Sequence, residues 1–269
     1  MAKIGILTIH GMGRQGPNFD RDLRERLSRR LDQGTRDDVV FQEVFFQDLL
    51  QGNQDRVWAE MDLAGGWFPW PWRKLWARAR EFLLFGFSDA ASYLNRPAAH
   101  GSAYQVIHGR TRDAIDQLAA RLGDEHAPAV IIGHSLGCQV ISNYIWDAQS
   151  NKGIWSETNP PTNFQKLGTA AYFFSAGCNI PLFVSGLDQI QAIQPPNDRF
   201  RWINYYDKDD VLGWPLEPLS TSYRQLVEDV ELRARGLLRW TPASHTEYWR
   251  SGSFLKPVAR LINELHAQP

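Results

Sequence analysis

Apolar residues along this chain fall into short runs closed by glycine-rich or polar turns, with stretches of helical spacing between them. Ile4 to Ile9 is nearly continuous and rich in β-branched residues, the pattern of a strand buried on both faces of a parallel sheet. After His10-Gly11-Met12-Gly13, Asn18 offers a helix cap, and Phe19, Leu23, Leu27 and Leu31 repeat every fourth position, which predicts an amphipathic helix. Val39 to Phe46 predicts a second strand. Ala103 to Leu122 predicts a helix, with Val106, Ile107, Ala114, Ile115, Leu118 and Leu122 on its apolar stripe. Pro128 opens a strand at Ala129 to Ile132, a helix follows to Ala148, and the polar stretch Asn151 to Gln165 reads as a loop. Ala170 to Ser175 and Phe200 to Tyr206 predict two more strands, Val230 to Trp240 a strand pair broken at Gly236, and Tyr248 to His266 a last helix.

Strands alternating with helices in this way predict an α/β fold, a mostly parallel, doubly wound sheet of about six or more strands with helices on both faces. The expected organisation is one domain over 1–269 with an excursion at 47–104, where the alternation stops. Leu49 to Met61 has helical character, but Gly65-Gly66-Trp67-Phe68-Pro69-Trp70-Pro71-Trp72 is too rich in glycine and proline for regular structure. Trp58 and Trp76 flank it, and Arg73, Lys74, Arg78 and Arg80 follow. Tryptophans beside cations suit a membrane-interface surface or a lid over a site. They suit equally an aromatic cap packed on its own domain.

The bulk numbers narrow the function classes. With 269 residues, 43% hydrophobic and 22% charged, the chain resembles an ordinary globular protein. A net charge of −1 with interleaved signs lacks the basic patch that phosphate contacts need, which argues against nucleic acid as a partner. Two cysteines, Cys138 and Cys178, are too few for a disulfide scaffold and read as buried thiols. The N-terminus has no signal-peptide layout, and no apolar run approaches the ~18 residues of a spanning helix. The expected location is cytoplasmic, with peripheral membrane contact through Trp67, Trp70, Trp72 and Trp76 as the variant that the excursion suggests.

Candidate chemistry gathers where strands end, as it does in open α/β sheets. Gly133-His134-Ser135-Leu136-Gly137 stands between an apolar strand and a helix, the layout in which Gly-x-Ser-x-Gly forms a nucleophile elbow. A serine needs a base to take its proton, and the base needs a carboxylate to hold its tautomer. His245 follows in a loop before the last helix, and Asp207, Asp209 and Asp210 cluster after the strand ending at Tyr206. The chain order is therefore Ser, Asp, His. Asp207 follows the strand directly and suits a brace for the turn, while Asp209 and Asp210 lie further out, where a loop can bend toward His245. Oxyanion donors are expected from the amides of Leu136 and Met12. His10, Gly11, Gly13 and His134 are expected to border the substrate, with the two histidines as structural hydrogen-bonding groups. His100, His108, His126 and His266 have no motif context and are expected at the surface. A dinucleotide or P-loop reading fails for want of the full glycine spacing or a Walker lysine.

These residues resemble the α/β-hydrolase family of serine esterases and lipases, and most closely its intracellular lipase-like and DDHD-type phospholipase-like members. The resemblance rests on Ile9-His10-Gly11-Met12-Gly13, on Gly133 to Gly137, and on Ser244-His245. It rests also on an acid segment in which Asn204, Asp210 and Leu216-Glu217-Pro218-Leu219 fit the family's spacing. It implies an ester hydrolase with a Ser135, His245 and Asp210 triad and no metal or organic cofactor, and it selects Asp210 among the three aspartates. Acyl transfer, thioester cleavage and amide cleavage use the same machinery, and a non-catalytic binding protein is the reading from a different class.

Overall fold

The computed structural model describes residues 3–13, 15–49, 93, 101–156, 161–232, 245 and 247–268. Six strands form a single parallel sheet in the order β2-β1-β3-β4-β5-β6. They are β1 (Ile4–Ile9), β2 (Val39–Val44), β3 (Ala129–His134), β4 (Ala170–Ala176), β5 (Arg201–Tyr206) and β6 (Val227–Glu231). Between them lie α1 (Arg21–Ser28), α2 (Gln33–Asp38), α3 (Ala103–Leu122), α4 (Leu136–Ser150), α5 (Ile180–Val184) and α6 (Thr221–Leu226), and α7 (Gly252–His266) closes the chain.

The central strands β1, β3 and β4 are covered on both sides, which is why they read as continuous apolar runs. Every residue of β1 and β4 is buried. Leu7, Ile9, Ile131 and Phe173 face a core shared with α3 and α4, while Ile4, Ile6, Val130, Ile132 and Phe174 face one shared with α1 and α7. From β1 the chain steps outward to β2, then returns past β1 to β3 and continues in the other direction. The winding therefore reverses between β1 and β3. In such sheets the crevice outside the strand ends at the reversal is where ligands bind. The segments there are His10–Gly13 after β1 and Ser135 after β3.

Strong local signals fix the long helices. Ser102 accepts the Gln105 amide at 3.3 Å to open α3, and Gly123 closes it at φ 70°. Elsewhere the structure corrects the sequence reading. Asn18 does not cap α1. Asp20 precedes its first residue without a capping bond, because its carboxylate turns inward to accept the Thr8 hydroxyl at 2.6 Å. The second strand ends at Val44, and the strand expected from Val230 begins at Val227, with 233–240 outside the described residues. The last helix starts at Gly252, after a single turn at Tyr248–Arg250. Three short helices, α2, α5 and α6, are too brief to show a period.

Two histidines expected at the surface are buried. The stripe of α3 runs through Tyr104, Ile107, His108, Thr111, Ala114 and Ile115, so His108 faces inward one turn after Tyr104, packed against Tyr93, Tyr104 and Tyr144. His266 closes on Asp38 at 2.9 Å. Cys138 and Cys178 are buried free thiols. No helix among the described residues is long and apolar enough to cross a membrane. The tryptophan segment and most of the excursion at 47–104 lie outside the described residues.

Candidate active site

Ser135 sits between β3 and α4 with φ 52° and ψ −123°, a region that non-glycine residues rarely occupy and that strains the backbone. The turn persists because its surroundings hold it. The Ser135 amide donates to Ala176 O at 3.0 Å, and the Cys138 amide donates back to Ser135 O at 3.0 Å. Two glycines allow the close approach that the turn requires. A Cβ on Gly137 would lie 2.5 Å from His10 O, and one on Gly11 would lie 2.6 Å from the Ser135 Cβ. The start of α4 thus packs directly on the backbone leaving β1. Ser135 is fully buried and its Oγ has no hydrogen-bond partner.

Of the three clustered aspartates, Asp210 is the one whose carboxylate reaches His245, with Oδ2 accepting from Nδ1 at 2.7 Å. That bond places the proton on Nδ1 and leaves Nε2 with its lone pair. Nε2 is buried and unpaired, like the Ser135 hydroxyl. Asp207 braces the turn, its Oδ1 accepting the Asp209 amide at 3.0 Å and its carbonyl the Asp210 amide at 3.0 Å. Asp209 is exposed.

Asp210 has three donors around it. Besides His245, the Leu212 amide donates to Oδ1 at 3.0 Å and the Tyr248 hydroxyl to Oδ2 at 2.8 Å. Burial alone would raise its pKa, but the bond to His245, that residue's charge, and the Leu212 and Tyr248 donors together hold it below the ordinary carboxylate value. The sign follows. Stability from this carboxylate is present above the unfolded pKa and is lost as pH falls through the lowered folded value. Tyr248 is itself fixed, accepting the Asp207 amide at 3.0 Å. Burial first, then the Asp210 charge, pushes its phenol far above the usual range, so it remains a donor. Sequence reading missed Tyr248. Its signal was a position three residues after His245.

The loop carrying Asp210 is pinned from below. Asn204 donates through Nδ2 to Trp214 O at 2.9 Å and to Asp229 Oδ1 at 2.8 Å. Asp229 in β6 in turn accepts the amides of Leu216 at 2.9 Å and Glu217 at 2.8 Å. The separated residues Asn204, Leu216 and Glu217 are therefore one cluster, and Asp229 is a member that the sequence reading did not find.

His134 donates from Nε2 to the His245 carbonyl at 2.6 Å. Burial, then the neighbouring His245 charge, lowers its pKa to about 3, so it is neutral. His10 uses both nitrogens, Nδ1 donating to Gly11 O at 2.7 Å and Nε2 accepting the Phe46 amide at 3.2 Å. Burial lowers its pKa to about 4. Both histidines are hydrogen-bonded braces here. Leu136 heads α4, whose N-terminus carries partial positive charge, and Met12 lies half-buried in the loop with Gly11 and Gly13, packed against the core cluster that includes Leu136. No cluster of three or more metal-ligating side chains exists among the described residues.

A groove of about 490 Å³ runs beside α4, lined by Gln139, Ser142 and Trp146 on that helix and by Phe183, Val184 and Ile190 opposite. Gln139 to Trp146 spans roughly 10 Å of helix, starting one turn after Ser135. Another cavity, of about 430 Å³, is lined by Ile4, Pro128 and Thr169, at the opposite, amino ends of the strands.

No protein-family model matches the chain, and no curated protein matches it. Solved structures of similar outline include a protein of unknown function from Agrobacterium tumefaciens, with 12% identity and a TM-score of 0.47, covering 98% of this chain and 91% of that one. A dienelactone hydrolase from Anabaena variabilis has 14% identity and a TM-score of 0.44, covering 98% of this chain and 87% of that one. An esterase from Pyrobaculum calidifontis has 12% identity and a TM-score of 0.46, covering 99% of this chain and 78% of that one.

Proposed function

We propose that the chain is a serine hydrolase of the α/β-hydrolase type that cleaves carboxylic esters through Ser135, His245 and Asp210. The observation that carries this reading is the 2.7 Å Asp210–His245 pair, tied through the His245 carbonyl to His134, the residue before a serine held at positive φ between a parallel strand and a helix. Nε2 of His245 takes the proton as Ser135 Oγ attacks the ester carbonyl. The carbonyl oxygen becomes an oxyanion, received by the amides of Leu136 and Met12. Collapse of this intermediate breaks the bond to the alcohol, which leaves with the proton from His245. Water, activated by the same nitrogen, then hydrolyses the acyl-enzyme and restores the serine. Asp210 holds the imidazole tautomer and offsets its transient charge.

The groove along α4 suits an apolar acyl chain. Each methylene buried adds ~0.8 kcal/mol, so octanoate should exceed butyrate by up to about two-hundredfold in kcat/KM. A panel of p-nitrophenyl esters of rising length measures this. Val184→Trp, which fills the groove, should remove the advantage and leave acetate hydrolysis intact. Activity confined to acetate in the unmodified protein would sink the apolar-acyl reading. Peripheral membrane contact through Trp67, Trp70, Trp72 and Trp76 belongs to the same proposal.

Tyr248→Phe tests the support of the acid. Losing a hydrogen bond to a charged group costs roughly 1.5–3 kcal/mol, so kcat should fall about tenfold to a hundredfold with KM unchanged. Without the phenol, the Asp210 carboxylate is held less firmly against His245, which lowers kcat, and it becomes more basic. The acidic limb of the kcat/KM profile should therefore move to higher pH. An unmoved profile would reduce Tyr248 to packing.

A further inference from the structure

Two side chains at the carboxyl end of the sheet have no use in the mechanism above. Gln47 and Asn179 are fully buried, and neither the oxygen nor the nitrogen of either carboxamide has a hydrogen-bond partner. Among the described residues, the other buried amides each have at least one partner, although the oxygen of Gln139 is also unpaired. Asn204 bonds Ser175, Trp214 and Asp229, and Gln139 donates to Asn143 at 2.8 Å. A buried polar group without a partner destabilises a fold, so each such group calls for an explanation.

Their positions supply one. Asn179 follows β4, two residues beyond Gly177, where an added Cβ would lie 3.0 Å from the His245 ring. β4 is the neighbour of β3, which carries Ser135. Gln47 follows β2 on the other flank, next to Phe46, whose amide is bound by His10 of the loop after β1. Ser135 Oγ and His245 Nε2, also unpaired and buried at this end, are the two atoms that the mechanism assigns to substrate.

We propose that Asn179 and Gln47 bind polar groups of the substrate on the two flanks of Ser135. The inference rests on the ester-hydrolase reading and narrows its substrate class. Each carboxamide presents two N–H donors and one acceptor oxygen and carries no charge. Neutral hydroxyl or amide groups, which both donate and accept, satisfy such a pair. Phosphate or carboxylate would leave the acceptor oxygens unmet. The substrate is thus an ester with an apolar acyl chain and a hydroxylated or amide-bearing remainder.

The test compares glyceryl monobutyrate with p-nitrophenyl butyrate as substrates for the unmodified chain and for Asn179→Leu and Gln47→Met, near-isosteric apolar replacements. For the glyceryl ester, kcat/KM should fall about tenfold to a hundredfold in each variant. It should be unchanged for the phenyl ester, and the melting temperature should be unchanged or raised, because an unpaired buried amide has been removed. Equal losses on both substrates with a lowered melting temperature would mean that the amides are structural, and would overturn the proposal. Full glyceryl activity in either variant removes that residue from the site. If the unmodified chain cleaves the phenyl ester alone, this inference fails while the hydrolase reading stands. If it cleaves neither, both fail.

Discussion

Ser135→Ala is expected to end labelling by a fluorophosphonate probe and to lower kcat for ester hydrolysis by about 10⁴–10⁶-fold. The size follows from what the hydroxyl does. In the proposed mechanism it forms the covalent bond to the acyl group. What survives is the background from oxyanion donors and substrate positioning, which in comparable machinery remains well above the uncatalysed rate. Folding should be unaffected, since alanine is no less able than serine to adopt φ 52°. A companion variant separates chemistry from architecture. Ser135→Gly relieves a backbone strain of the order of 1–3 kcal/mol and should raise the melting temperature while being equally inactive. Labelling that persists in Ser135→Ala would place the nucleophile elsewhere and end the serine-hydrolase reading.

Asp210→Asn is expected to lower kcat by about 10⁴-fold, while Asp209→Asn leaves it unchanged. The asymmetry is electrostatic and geometric. Asp210 Oδ2 accepts from His245 Nδ1 at 2.7 Å. An amide nitrogen at that place is a donor, which favours the tautomer with its proton on Nε2, so the ring can no longer receive the serine proton. The neutral amide also gives no support to the imidazolium. Asp209 is exposed and its backbone amide is what the turn uses, through Asp207 Oδ1. Ester hydrolysis measured side by side decides the matter. Loss only in Asp209→Asn would refute the assignment.

The contrast between these two aspartates shows where sequence was sufficient and where it was not. The elbow is legible because its constraint is local. The glycine two residues after Ser135 is demanded by contacts that any side chain there would meet, such as His10 O at 2.5 Å. Helix α3 is legible to the residue because a serine cap, a long apolar stripe and a terminal glycine coincide. The acid is different. Three aspartates in four residues share one local pattern, and the choice depends on Leu212, Tyr248 and the bracing of the loop by Asn204 and Asp229. The family resemblance selected Asp210 from spacing that only this three-dimensional brace explains. His108 was misplaced because a polar residue on an apolar stripe carries no mark of the aromatic rings waiting for it. Gln47 and Asn179 show the same limit, since an unpaired amide looks like any other amide in sequence.

One bond has a bearing on how this architecture can vary. The His245 carbonyl is held by Nε2 of His134 at 2.6 Å, and His134 is the last residue of β3. The His245 backbone is therefore tied to the end of β3, the strand that leads into Ser135. Connecting segments tolerate changes in length when the groups they deliver are anchored independently. Insertions and deletions between Glu231 and His245 can then accumulate without moving Nε2 relative to Ser135.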